Sequence, residues 1–100
     1  MGKKVIWSKY ALRQAESIHD YILEESKSLE IANSVLKNLF DSTEILETQW
    51  EIYTLDQLKQ NNDGSYRAYV KYNYRISYRI MNNVVSILRV RHTSREPLEY

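Results

Sequence analysis

Three runs between residues 66 and 92 constrain the fold of this chain more than any other feature. They read Tyr66-Arg67-Ala68-Tyr69-Val70-Lys71-Tyr72, then Tyr74-Arg75-Ile76-Ser77-Tyr78-Arg79-Ile80, then Val84-Val85-Ser86-Ile87-Leu88-Arg89-Val90-Arg91-His92. β-Branched and aromatic residues dominate each run, and polarity largely alternates with period two, as in a strand whose two faces differ. Only Asn73 and Met81-Asn82-Asn83 separate them, so a three-stranded antiparallel meander is predicted. Alternation puts Arg67, Tyr69 and Lys71 on one face of the first strand, Arg75 and Arg79 on one face of the second, and Arg89 and Arg91 on one face of the third. A sheet that stacks its cations on one side is expected to meet something anionic.

Charge supports that reading. The whole chain carries only +1, but its halves differ in sign. Residues 1–63 hold seven Lys/Arg against eleven Asp/Glu, net −4; residues 64–100 hold seven against two, net +5. Such asymmetry predicts a localised electrostatic face. The plainer alternative is that the cations solvate an antiparallel sheet and protect its edges. That alternative does not explain the near absence of acids between Gly64 and Arg95, because a merely soluble face mixes signs.

Upstream, Lys4-Val5-Ile6-Trp7 predicts a short first strand, and Ser8 stands where a helix N-cap is wanted. Ala11, Ala15, Ile18 and Ile22 then recur at helical spacing, predicting a helix over residues 9–25. Ser26-Lys27-Ser28 breaks it and supplies a second cap. The next apolar stripe runs from Ala32 through Val35, Leu36, Leu39, Thr43 and Leu46 to Trp50, predicting a second helix that returns antiparallel to the first. Gln60-Asn61-Asn62-Asp63-Gly64 is the strongest turn cluster, and Pro97 cannot continue a sheet. The order strand, two helices, three strands predicts one α+β domain over residues 1–100, with the helix hairpin on one sheet face and the cations on the other.

Composition excludes several chemistries. The chain has no cysteine and two well-separated histidines, His19 and His92, so thiolate and histidine metal centres are not expected, nor is a disulfide framework. No apolar run approaches the ~20 residues that span a bilayer, and no signal-peptide core is evident. A cytoplasmic location, with no membrane partner and no cofactor, is the expectation.

Five segments, taken in order, resemble the RelE/ParE superfamily of toxins from bacterial type II toxin–antitoxin modules. They are Ile6-Trp7-Ser8 with Ala11; Ile18-His19-Asp20-Tyr21-Ile22; Asp63-Gly64-Ser65-Tyr66-Arg67; Tyr74-Arg75-Ile76-Ser77-Tyr78; and Ile87-Leu88-Arg89-Val90-Arg91-His92 leading to Arg95 and Pro97. The resemblance implies a growth-arresting toxin neutralised by a cognate antitoxin, with one of two targets. ParE-like members inhibit DNA gyrase. RelE-like members enter the ribosome and cut mRNA without metal.

The ribonuclease alternative needs a base, a proton donor and cations around a phosphate. The resemblance assigns the phosphate role to Arg75, and Arg67 and Lys71 correspond to basic residues of the preceding strand. Those toxins carry a lysine pair there, so this chain departs from their pattern. His92 matches a histidine at the end of the last strand and suits acid–base work. Arg95 adds charge, and Tyr100 stands loosely for a further tyrosine of that group. The residues expected to bind a target or antitoxin are Arg67, Tyr69, Lys71, Arg75, Arg89, Arg91 and Arg95. Each has a plainer reading: Arg75 paired with a helix carboxylate such as Glu24, His92 capping the Thr93–Arg95 turn, His19 packed, and Tyr74 and Tyr78 in the core. Long helices in a simple hairpin and a low net charge favour the gyrase-directed branch. The ribonuclease and an inert antitoxin-binding module are the alternatives.

Overall fold

The computed structural model describes residues 2–95 and 99–100, except the side chain of Arg95. Pro97 lies outside the described residues. The chain runs through β1 (Lys4–Trp7), α1 (Lys9–Ser26), α2 (Leu29–Ser42), a 3-10 turn (Glu44–Glu47), β2 (Tyr66–Lys71), β3 (Tyr74–Ile80), β4 (Val84–His92) and a last 3-10 turn (Thr93–Arg95). The expected α+β order is therefore present.

Local chemistry sets the helix ends. Ser8 has extended backbone, and its Oγ accepts the Ala11 N–H at 3.0 Å, capping α1. Lys27 takes a left-handed conformation (φ 57°) that closes α1, and Ser28 at once caps α2 by accepting the Ile31 N–H at 3.2 Å. The second helix is shorter than its apolar stripe predicts. It stops at Ser42, where the Ser42 and Thr43 hydroxyls donate to the Leu39 and Phe40 carbonyls, each at 2.7 Å. Such local bonds compete with the helical ladder. The 3-10 turn that follows still carries Leu46 inward to full burial, so the periodicity outlasts the helix.

β2, β3 and β4 form the predicted antiparallel meander. β1 joins its far side, parallel to β4, giving a mixed sheet of order β1-β4-β3-β2. The core lies between sheet and helices, where Ala11, Leu39, Leu46, Ile76, Tyr78, Val85 and Ile87 are fully buried. β1 is shorter than β4, so the edge of β4 beyond Ile87 meets α1 instead. There the Ser8 hydroxyl donates to the Leu88 carbonyl at 3.3 Å, and Val90 N–H donates to the Gln14 side chain at 2.7 Å.

Candidate functional site on the cationic sheet

Strand register divides the expected cationic face in two. Arg75 lies opposite Arg91, and Ser77 opposite Arg89; Tyr66 lies opposite Arg79. These residues occupy the outer face, and Arg91, near the end of β4, also borders the cleft beside α1. Arg67 lies opposite Tyr78, Tyr69 opposite Ile76, Lys71 opposite Tyr74, and Tyr74 opposite His92. Tyr74, Tyr78 and Ile76 are buried core residues, so Arg67, Tyr69, Lys71 and His92 belong to the helix side. Period-two alternation gave each strand correctly but left the phase between strands open, and β2 is out of phase with the other two.

The helix-side group is taken up by the fold. Arg67 Nη1 donates to the Tyr53 carbonyl at 2.7 Å, and its Nη2 stands 3.9 Å from Glu51. Tyr69 stacks on Tyr53 at 4.2 Å and shares a 2.7 Å hydrogen bond with the Ser42 hydroxyl. Burial raises its phenol well above the usual range, with the Ser42 bond opposing. Tyr78 is pushed up to about 12 by burial and donates to the Trp50 carbonyl at 2.8 Å. Lys71 lies over the Tyr72 ring. His92 accepts the Ser94 N–H at Nδ1 (3.1 Å) and sets its ring edge-on to Tyr74. It opens on a cleft of about 360 Å³ between α1 and β4, together with Tyr10, Gln14, Tyr21 and Arg91. His19 bonds Asn33 of α2 at 2.6 Å, in keeping with a packed histidine.

On the outer face the organising residue is one that sequence reasoning missed. The segment after residue 53 folds back along β2: Ala68 N–H donates to the Thr54 carbonyl at 3.2 Å, Leu55 bridges Arg67, and Asp56 N–H donates to the Tyr66 carbonyl at 2.9 Å. The Asn62 side chain then ties the loop to the Tyr66 carbonyl and to Gly64 N–H, where Gly64 takes φ 98°. Asp56 is thereby buried against the sheet at 2% exposure. Its Oδ1 meets Arg75 Nη2 at 2.6 Å, and its Oδ2 accepts the Tyr100 hydroxyl at 2.6 Å. Burial by itself raises this carboxyl; the Tyr100, Arg75 and Leu58 N–H hydrogen bonds and the arginine charge outweigh it, leaving the group below the usual carboxylate range. Arg75 therefore pairs with a loop aspartate and not with Glu24. The available signal in the sequence is an aspartate between Leu55 and Leu58, two apolar residues in an otherwise polar loop.

Around that pair cations and rings interleave. Lys59 and Arg79 lie over Tyr66 at 4.7 and 4.8 Å; Arg89 and Lys59 lie over Tyr100 at 4.5 and 5.5 Å. Tyr100 is fixed by two main-chain bonds, its N–H to Leu58 and its carbonyl from Gln60. Arg95 is placed only by its main chain in the last 3-10 turn. Among the described residues no group of three or more His, Asp or Glu side chains gathers to hold a metal. No helix among them is long and apolar enough to cross a membrane.

The chain resembles, with TM-score 0.72 and 13% identity, a chain of the chromosomal ParDE toxin–antitoxin system from P. aeruginosa, over 90% of this chain and 95% of that one. It also resembles a chain of the RelBE2 toxin–antitoxin complex from Mycobacterium tuberculosis, with TM-score 0.58 and 19% identity, over 92% and 99%. Both likenesses concern the fold. No curated protein matches the sequence. The family described as ParE toxin of type II toxin-antitoxin system, parDE, matches residues 5–97, so the chain belongs to the ParE toxin family.

Proposed function

We propose that this toxin arrests growth by inhibiting DNA gyrase in the cytoplasm and is silenced by a cognate antitoxin. One observation carries the choice of target: the residues a ribonuclease would need are not gathered around one phosphate. Arg75 is on the outer face, His92 on the helix face, and Arg67 is bonded to Tyr53 two strands from His92. Arg75 already pairs with an anion, since its Nη2 meets the Asp56 carboxylate at 2.6 Å. Membership in the ParE family supports the same choice. Transition-state stabilisation needs preorganised groups aimed at one point, and this sheet aims them apart.

An antitoxin partner is supported by the likeness to chains from two toxin–antitoxin systems. An acidic segment that folds on binding fits the cationic sheet. The ribonuclease is the second reading, favoured by Arg75, Tyr100 and Arg89 lying close together on the outer face. Purified protein is tested in a gyrase supercoiling assay and in a ribosome-dependent mRNA cleavage assay. Loss of supercoiling alone is the expected result. Transcript cleavage alone selects the ribonuclease, and silence in both selects an inert antitoxin-binding module.

A further inference from the structure

On the outer sheet face, cations outnumber the acids that pair with them among the described residues. Arg75, Arg79, Arg89, Arg91 and Lys59 stand there against Asp56 and Asp63 among the described residues. The helix elements bear Glu16, Asp20, Glu24, Glu25, Glu30, Asp41, Glu44 and Glu47 against Lys9, Arg13 and Lys37, net −5, so the molecule is electrically two-sided despite its +1 total. Asp56 is fully enclosed and holds Arg75, whereas Asp63 is exposed and only 3.7 Å from Arg79. Arg79, Arg89, Arg91 and Lys59 therefore set the potential that a partner meets.

From this arrangement we infer that the outer face is a binding surface for the phosphate backbone of duplex DNA. The rings decide between duplex and single strand. Single-strand binders stack bases on open aromatic faces. Here the Tyr66 ring is covered by Lys59 and Arg79, and the Tyr100 ring by Lys59 and Arg89. Cations occupy the surfaces that bases would use, so the face offers charge and little free π surface. A duplex, with its bases paired inward and its phosphates outward, matches that offer. The tyrosines serve to splay and hold the cations, which places several charges at fixed spacing on a rigid sheet. The acidic helix side keeps the opposite surface away from the polyanion and orients the encounter. This contact is with DNA itself and does not depend on the gyrase reading.

The test uses the intact protein, a short fluorescently labelled duplex and the single strand of the same sequence, with anisotropy read across a salt series. Duplex binding at 50 mM salt is expected, weakening about 40-fold by 200 mM if three phosphates are contacted. Lys59→Gln and Arg79→Gln are each expected to weaken binding and to make the salt slope shallower by about one. Arg13→Gln, on the exposed side of α1, should change neither, and thermal melting verifies that every variant is folded. No duplex binding at 50 mM overturns the proposal. So does single-strand binding as tight as duplex binding, or an Arg13→Gln effect equal to the other two. The assay contains no gyrase, so its outcome and that of the supercoiling assay are read separately.

Discussion

Asp56 and Arg75 meet at 2.6 Å across the loop–sheet boundary, with the aspartate side chain fully enclosed and the arginine about one-fifth exposed. The pair joins the middle strand to the fold-back segment and, through Oδ2, to Tyr100. Breaking a buried pair from one side costs about 3–5 kcal/mol, because the surviving charge keeps its burial and loses its partner. Asp56→Asn is nearly isosteric, so packing is retained and the charge alone is removed. Its expected cost is about 3 kcal/mol, at the low end because Arg75 retains some solvent. Thermal unfolding should show a fall in Tm on the order of 10–20 °C.

Acid should act through the same group. The Asp56 carboxyl titrates below its usual range when folded, because hydrogen bonds and Arg75 outweigh the effect of burial. A depressed folded pKa contributes stability that is present above the unfolded value, about 3.9, and is lost as pH falls through the folded value. Wild-type Tm is therefore expected to decline as pH is lowered from about 5 toward 3, with Asp56→Asn declining less over that range. Parallel curves for the two proteins would remove Asp56 from the account of acid sensitivity.

The hairpin between β2 and β3 turns on Tyr72 and Asn73, both left-handed, with φ of 54° and 64°. Two left-handed central residues make the tight turn that matches strand twist, and Asn or Gly fills it best. A tyrosine there carries strain of order 1 kcal/mol or more. Its compensation is slight and exposed: a 3.0 Å bond from Asn38 to the hydroxyl and Lys71 over the ring. Tyr72→Asn is expected to raise Tm by a few degrees in a melt. A lower Tm would mean that the Asn38 and Lys71 contacts outweigh the backbone strain.

Much of the fold is legible in the sequence because its signals are local. The Ser8 and Ser28 caps, the Lys27 break and the strand alternation each depend on neighbours a few residues away. What is not legible depends on partners far along the chain. Whether Arg67 shares a face with Arg75 rests on the register between β2 and β3, which no single strand encodes. Asp56 looks like any loop carboxylate until residues 54–56 pair with β2 and carry it under Arg75 and Tyr100. The second helix ends before its apolar stripe does for a related reason. Leu46 stays on the apolar stripe whether its turn is α or 3-10, so burial alone does not report where the ladder changes.

His92 closes β4 and belongs to the turn that follows it. Its Nδ1 accepts the Ser94 N–H at 3.1 Å and lies 2.8 Å from the Ser94 hydroxyl, so the turn engages this nitrogen. Nδ1 is therefore not open to accept a proton from an RNA hydroxyl without giving up the turn. His92→Asn keeps an acceptor for the Ser94 N–H and removes the imidazole. The loss of the edge-on contact with Tyr74, 5.3 Å between centroids, should cost about 0.5–1.5 kcal/mol. Growth arrest on induction should persist at wild-type strength. If the variant melts normally yet no longer arrests growth, the imidazole is acting chemically and the ribonuclease reading displaces the gyrase one.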